Sequence, residues 1–520
     1  MLTARKHRWL NGVLLFPLMA WLGLPGRFSL WPLLLICLFP LLFWLPGAAN
    51  ARQAFGRGLL AGMVFYVLQL YWIVSVLTTF GGLPWILSAL SLLLLVFYMS
   101  VYLGLFSSLF YLLDRKAGFW LWLAAVPCLW VGLDWVRSWL ISGFPWMDFG
   151  YGLWSVPGVL QTADLFGHHF LTFMVVLINL VLYIFICRRF SGVQKISSAA
   201  LVLVLLSCGL LYSKKRWTEM LDLIDDAAVA EVGIVQGNIE QGKKWSPEER
   251  VKTVDSYLRL SEGLLEHKIP DLIVWPETAL PFYPRGNELI RPVKAFLSRS
   301  GTALLTGAPW YEVIDWDKRQ FEYFNGAFML AKTGEPGGHY FKSHLVPYGE
   351  YVPLKKYMPF LAPLVEAAGD FTPGVVGSPL ETGRIKAGVL ICYESIFADI
   401  GRHWVENGAN VLVNLTNDAW YGKSSAPYQS WAMTVLRSVE TRRSLVRSAN
   451  TGISGVIDPL GRIKSESELF VEWAGTVEIP LMTQRSVFIA GGFLFGPVCA
   501  AAGVLVCIVV MGMDRIKNRC

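Results

Sequence analysis

Charge is scarce in this chain. Of its 520 residues only 16% are Asp, Glu, Lys or Arg and 54% are hydrophobic, a balance that excludes an ordinary soluble protein of this length. Cysteine is scarce where it would build a scaffold. Of the eight, Cys37, Cys128, Cys187, Cys208, Cys499, Cys507 and Cys520 lie in apolar runs, at their ends or at the last residue. Segment 214–487 holds Cys392 alone, so no internal disulfide can form there. There is no CxxC, no Cys/His metal spacing, no repeat and no low-complexity tract, so no metal and no cofactor are expected. The net charge of +7 is largely carried by short basic stretches between apolar runs. That placement implies no nucleic-acid partner; anionic lipid headgroups are sufficient company.

What the chain has in abundance is long apolar sequence. A helix crossing the hydrocarbon core needs about 18 or more such residues. Candidate spans are 9–25, 28–46, 57–80, 84–113, 118–136, 165–187, 197–212 and 488–513, eight in all, the first and seventh the weakest. Lys and Arg favour cytoplasmic loops. With the N-terminus inside, the inner segments carry Arg5, Lys6, Arg8, Arg52, Arg57, Arg115, Lys116, Arg188, Arg189, Lys195, Arg515, Lys517 and Arg519, against Arg27 and Arg137 outside. Lys214, Lys215 and Arg216 conflict with that pattern, but long translocated domains obey it weakly. Reading the first run as a cleaved signal peptide is less favoured, because WLGLPGRF lacks a small-x-small cleavage site. The expected organisation is a membrane domain of seven spans (1–213), an exported domain (214–487), and a last span with a cytoplasmic tail (488–520), both termini inside.

Segment 214–487 alternates between strand and helix patterns. EVGIVQGNI (231–239), DLIVWPET (271–278), TALLTGAP (302–309), FNGAFMLAK (324–332), KAGVLICYES (386–395) and ANVLVNLTN (409–417) read as strands. Helices are expected over 246–266, 287–299, 396–407 and 427–444, and a hairpin over 451–463. The alternation predicts an α/β layered domain around a buried sheet. Stretch 345–379, with six prolines and with Phe360, Leu361, Leu364, Val365 and Phe371, breaks the pattern and reads as a long lid or binding loop.

Cys392 ends an apolar strand and meets Tyr393, Glu394 and Ser395. A strand that presents one thiol to polar neighbours suits a nucleophile, although a lone cysteine is more often a buried structural one. Such a thiol needs a base and a positive neighbour. Glu277 in WPET and Lys342 in FKSHLVPYGE also end strands or open loops, and can take the proton and hold negative charge respectively. The backbone N–H of Tyr393 is a natural second oxyanion donor. Taken singly, Glu277 could cap a helix and Lys342 could be a solvated charge. His344 is an alternative partner for the thiol that sequence leaves open.

In the order Glu, Lys, Cys the segment resembles the nitrilase superfamily. With the apolar spans, it resembles that superfamily's membrane-anchored branch, the apolipoprotein N-acyltransferases. The words that carry the likeness are GFPW (143–146), QGN (236–238), WPE (275–277), KSHLVPYGEYVP (342–353), CYES (392–395), NDAWYG (417–422) and RSANTGISGVIDPLG (447–461). The resemblance implies a multispan α-helical membrane domain plus an α/β nitrilase-like exported domain, an αββα sandwich. It implies a catalytic triad of Glu277, Lys342 and Cys392, supported by Trp245, Asn325, Glu350, Tyr393, Glu394 and Trp420. Glu350 and Glu394 would orient Lys342; the bland alternative makes Trp245 and Trp420 core aromatics and Glu350 a simple ion-pair partner.

The implied activity is transfer of a fatty acyl chain from a phospholipid, with phosphatidylethanolamine the expected donor, through a Cys392 thioester. The acceptor would be the N-terminal α-amino group of an S-diacylglyceryl apolipoprotein. The implied location is the bacterial inner membrane, with the catalytic domain periplasmic. Two readings compete: a membrane-tethered nitrilase-type amidase with water as acceptor, and a transporter or receptor whose outer domain only binds. Against the latter, the spans carry few charges beyond Asp134 and Arg137.

Overall fold

The computed structural model describes residues 11–242, 244–266, 268–351 and 370–517. The chain divides into two compact units, Met1–Val74 with Pro84–Trp217 and Ala490–Cys520, and Ser75–Leu83 with Thr218–Ile489. Both boundaries lie a few residues beyond the expected 213/214 and 487/488, and the short segment Ser75–Leu83 goes with the second unit.

In the first unit, five helices are long and apolar enough to cross a membrane: Trp85–Lys116, Phe119–Arg137, Ala163–Ile186, Gly192–Asp225 and Gly492–Gly512. A sixth span arises if Ala51–Leu70 and Trp72–Thr79, bent by 55°, are taken together. The expected spans 9–25 and 28–46 are instead the shorter apolar helices Gly12–Gly23 and Trp31–Gly47. Proline explains the second of these, since Pro32, Pro40 and Pro46 each sit at the start of a separate helical piece. Among the described residues, length and composition therefore support five spans, or six with the bent pair, against the eight expected; the start of expected span 9–25 lies outside the described residues.

Of the basic residues after the seventh run, Arg216 is matched inside the unit. Helix Gly192–Asp225 carries Lys214, Lys215 and Arg216 within it. Arg216 Nε donates to buried Asp164 Oδ2 at 2.7 Å, so that charge is matched inside the unit. Arg137 is likewise held, by Asp134 at 3.1 Å, by Asp148, and by the carbonyls of Phe144 and Trp146.

The second unit contains two six-stranded sheets. The first has the order β12–β1–β2–β3–β4–β5, with β1 (Val229–Gln236), β2 (Leu272–Val274), β3 (Ala303–Asp315), β4 (Gln320–Leu330), β5 (Pro336–Phe341) and β12 (Trp473–Pro480). The second has the order β11–β10–β9–β8–β7–β6, with β6 (Leu380–Thr382), β7 (Ile385–Ile391), β8 (Val411–Thr416), β9 (Ser444–Ala449), β10 (Gly455–Ile457) and β11 (Ile463–Glu466). Each sheet has three parallel strands at its centre, β1–β2–β3 and β7–β8–β9, and antiparallel strands outside them. Every residue of β2, β8 and β9 is buried, as parallel strands covered on both faces must be.

Helices Pro247–Leu265 and Ile290–Ser300 cover the first sheet through Val254, Tyr257, Leu264, Val293, Phe296 and Leu297. Helices Ala398–Glu406 and Ala426–Thr441 pack against the second sheet. Between the sheets, Ser448 Oγ on β9 donates to the carbonyls of Val235 on β1 (2.9 Å) and Val274 on β2 (3.2 Å). The expected hairpin 451–463 forms as β10 and β11, paired antiparallel across the turn 458–462, and the expected helix 427–444 ends at Thr441, with Ser444 already the first residue of β9. Strands β5, β6, β9 and β12 had no counterpart in the sequence reading.

Candidate active site

In parallel α/β sheets, ligands bind at the carboxyl ends of the strands. Glu277 follows β2 by three residues and Cys392 follows β7 directly. Lys342 follows β5, and its N–H donates to Asn325 O on β4 at 2.9 Å.

The Glu277 turn is held by its neighbours. Trp275 is buried, stacks on Tyr257 at 5.1 Å and donates from Nε1 to Ser261 Oγ at 2.9 Å. Trp275 N–H continues the sheet to Leu305 O, and Gly307 N–H donates to Pro276 O at 3.1 Å. Gly307 is needed there, because a Cβ would lie 2.7 Å from Glu277 Cα.

Cys392 has a left-handed φ of 51°. For a non-glycine residue this costs about 1–3 kcal/mol, a strain that collects at functional sites. It opens the helical turn Cys392–Ile396, so the thiol leaves the strand sharply.

Two carboxylates converge on Lys342. Its Nζ lies 2.8 Å from Glu350 Oε2, 3.0 Å from Glu350 Oε1 and 4.0 Å from Glu277 Oε1. Asn325 Nδ2 ties both acids together, donating to Glu277 Oε1 and Glu350 Oε1 at 2.8 Å each. Glu277 Oε2 has no hydrogen-bond partner among the described residues. It is the oxygen left over for a proton.

Electrostatics follow from this burial. Burial pushes the Cys392 thiol up to about 12; the negative charge of Glu277 adds to the rise, and Lys342 and a hydrogen bond with Thr416 oppose it. The resting sulfur is therefore protonated and needs a base at the moment of attack. Burial also raises Glu277 above the ordinary carboxylate range, with Glu350 adding and Lys342, Asn325 and Lys244 opposing. For Lys342, burial alone would lower the pKa, but Glu350, the Cys392 thiolate and Glu277 together raise it. Its ammonium stays charged throughout.

Glu394 makes no hydrogen bond to Lys342 itself. Its Oε1 accepts from Tyr340 OH (2.7 Å), Ser343 N (2.7 Å), Ser343 Oγ (2.8 Å) and His344 N (3.1 Å), and its Oε2 from Ile391 N (2.8 Å). It fastens the residues after Lys342 to the residue before Cys392, and so acts on the lysine through the backbone. Ser343 thereby has a structural task that its sequence position did not signal.

Tyr393 is buried against Phe397 at 5.1 Å. The His344 ring lies on Phe397, with centroids 3.9 Å apart. Trp245 and Trp420 are 45% and 36% exposed, which rules out the core-aromatic alternative for both. Trp420 meets Phe80, of segment Ser75–Leu83, edge-on at 4.9 Å.

Sequence reasoning missed a polar set beneath Cys392. Asp418 accepts from Arg447 Nη2 (2.8 Å) and Thr416 Oγ1 (2.9 Å), and Arg447 Nη1 donates to Asn414 Oδ1 at 2.7 Å. A Cβ at Gly452 would strike the Asp418 carboxylate. The signal was present in NDAWYG and RSANTG, words used for the resemblance without roles for their charges. In stretch 345–379, residues 352–369, with Phe360, Leu361, Leu364 and Val365, lie outside the described residues. The flanks are tied to the site, with Phe371 N–H on Glu350 O (3.0 Å) and Gly374 N–H on Lys342 O (2.8 Å).

Comparison with known proteins gives two adjoining matches. Residues 17–181 match the family model of the apolipoprotein N-acyltransferase N-terminal domain, and residues 231–487 match that of carbon-nitrogen hydrolases. A protein named apolipoprotein N-acyltransferase from Geobacter metallireducens is 39% identical over 494 residues, covering 94% of this chain and 91% of that one. One of the same name from Methylococcus capsulatus is 33% identical, covering 84% and 83%. Among solved structures, a carbon-nitrogen hydrolase from Helicobacter pylori G27 aligns with 51% of this chain and 94% of that one, at 18% identity and a TM-score of 0.38.

Two sheets with a carbon-nitrogen hydrolase pattern, joined to long apolar helices, define a membrane-anchored enzyme of the nitrilase superfamily. More narrowly, the chain belongs to the apolipoprotein N-acyltransferase family, whose members are transferases.

Proposed function

We propose that this enzyme moves a fatty acyl chain from a phospholipid, with phosphatidylethanolamine the preferred donor, to the α-amino group of an S-diacylglyceryl cysteine at an apolipoprotein N-terminus. The observation that carries the mechanism is that Glu277 and Lys342, 4.0 Å apart at the ends of strands of one sheet, and Cys392 at the end of a strand of the other act on one another's charge. Glu277 Oε2 takes the thiol proton as sulfur attacks the ester carbonyl. Lys342 and the Tyr393 N–H hold the oxyanion. The intermediate collapses by breaking the C–O bond, and Glu277 returns the proton to the departing lysophospholipid. The thioester keeps the acyl group reactive while the first product leaves.

In the second half the neutral amine attacks the thioester carbonyl. Its proton passes to Glu277, the C–S bond breaks, and the thiolate recovers that proton. An α-amino group has an ordinary pKa of about 7.7–8.0, so a useful fraction is neutral near pH 7 to 8. Trp245 and Trp420, both part-exposed, supply apolar surface for the acyl chain. We place the enzyme in the bacterial inner membrane, with 1–213 and 488–520 membrane-bound, 214–487 periplasmic and both termini cytoplasmic.

The test is mass spectrometry of the full-length protein after incubation with phosphatidylethanolamine. A fatty-acyl mass on Cys392, absent from Cys392→Ser and discharged by a diacylglyceryl-cysteine peptide as an amide, is expected. Discharge by water alone at the same rate would leave an amidase-like hydrolase instead.

A further inference from the structure

The loop between β1 and helix Pro247–Leu265 buries a lysine that the mechanism above does not use. Lys244 is fully buried, and its Nζ has no hydrogen-bond partner among the described residues. The loop is built in place. Gln241 Oε1 accepts from Asn417 Nδ2 at 2.6 Å, and Ile239 N–H donates to Asn450 Oδ1 at 2.8 Å. The lysine therefore does not reach solvent as loop lysines do.

Geometry sets Lys244 at the same edge as the reacting groups: its loop follows β1, which runs parallel to the β2 that precedes Glu277, and is tied to Asn417 after β8 and Asn450 after β9. Its charge and that of Glu277 act on each other, and the next residue, Trp245, is the part-exposed aromatic assigned above to the acyl chain. Glu277 in turn keeps its Oε2 unpartnered. Lys342 is already engaged by Glu350 at 2.8 Å and Glu277 at 4.0 Å. A second buried ammonium is superfluous for the oxyanion, and an unpaired buried cation is costly to maintain. Such a group is useful when the ligand brings the missing anion. In a glycerophospholipid the phosphate diester stands a short carbon link from the ester oxygen, so an anion on Lys244 would turn the scissile ester toward Glu277 and Cys392.

We propose that Lys244 binds the phosphate of the acyl donor and so selects phospholipid over uncharged esters. This rests on the function proposed above and adds the recognition element for its first substrate. No bond forms or breaks at the lysine; it is a donor-binding residue.

The experiment uses the full-length enzyme in detergent and reads acyl-Cys392 by mass spectrometry from two donors, phosphatidylethanolamine and the phosphate-free p-nitrophenyl palmitate. In Lys244→Gln, acylation from subsaturating phospholipid should fall about 10- to 100-fold, the loss of one charge-assisted contact, through the donor KM. Acylation from p-nitrophenyl palmitate should stay within about twofold of the parent. Lys244→Arg should recover part of the phospholipid rate. Because Lys244→Met removes an unpaired buried charge, it should melt no lower than the parent while showing the same donor split.

Glycerol 3-phosphate should slow phospholipid acylation in the parent and leave p-nitrophenyl palmitate acylation unchanged. Equal loss with both donors would make Lys244 a positioning residue for Glu277, and unchanged rates with both would make it structural; either overturns the proposal. Inhibition by inorganic phosphate that persists in Lys244→Gln would assign the anion site elsewhere and also overturn it. Absence of any acyl-enzyme from phospholipid in the parent would instead remove the parent function.

Discussion

The two walls of the site treat a buried carboxylate in opposite ways. Around Glu394 both oxygens are engaged, with five donors from β5, the residues after Lys342 and the end of β7. Around Glu277 one oxygen is held by Asn325 and the other is left bare. Both groups are buried, and burial raises both pKa values. Burial alone therefore does not separate an acid that builds from an acid that reacts. Hydrogen-bond satisfaction does, because donors on both oxygens hold Glu394 in place as an acceptor, whereas Glu277 keeps one oxygen without a donor and open to a proton in transit.

The same chemical swap at the two positions should sharpen that contrast. Glu277→Gln should lower the rate of Cys392 acylation by about 10²–10⁴-fold, the range for loss of a general base, in stopped-time mass spectrometry. Its melting temperature at pH 7 should be equal to or above that of the parent. The sign follows from linkage: a carboxyl raised above the ordinary carboxylate range is disfavoured in its ionised form by the fold, so stability falls as the pH rises from the ordinary carboxyl pKa to the raised one and stays lowered above it. That difference should vanish below the ordinary carboxyl pKa. A parent-like acylation rate in this variant would break the comparison.

Glu394→Gln should do the reverse. Its new amide must face a backbone N–H that now donates to Glu394, leaving buried donors opposed, at a cost of about 1–3 kcal/mol. Thermal unfolding should report that loss, with a smaller fall in acylation rate. If Glu394→Gln is inactive at full stability, Glu394 belongs with the reacting acids.

Two smaller effects complete the series. Acylation in the parent should decline as the pH falls through a value above the usual carboxylate range, because Glu277 must be ionised to accept the thiol proton. Glu350→Gln keeps an acceptor for Asn325 and removes a negative charge that raises Glu277 and Lys342 alike. It should shift that acid limb to lower pH and cost about tenfold or less in rate. A limb that does not move would place the titrating group elsewhere.

Much of the site was legible in the sequence because its members stand where strands stop. Glu277, Lys342 and Cys392 each interrupt an apolar run with a reactive group, and a strand end is where a side chain can be both fixed and reachable. Asp418 and Arg447 were not legible as a pair, since Arg447 lies inside a wholly buried strand and only the close approach of Gly452 reveals the partner. Lys244 was invisible for a different reason: a lysine in a polar loop reads as solvated, and only the tertiary fold closes over it. The short outer strand β6, of three residues, carries too little pattern to be read. Hydropathy likewise counted residues and not helices, so Pro32, Pro40 and Pro46 turned an expected span into a broken one.

The hydroxyl of Ser448 reaches from one sheet to two carbonyls of the other. Apolar faces in contact are nearly indifferent to shear, because sliding exchanges one greasy neighbour for another. A polar rivet between them is not. Since the acid and the ammonium belong to one layer and the sulfur to the other, the alignment tolerance of the whole reaction passes through this small residue, which itself makes and breaks no covalent bond.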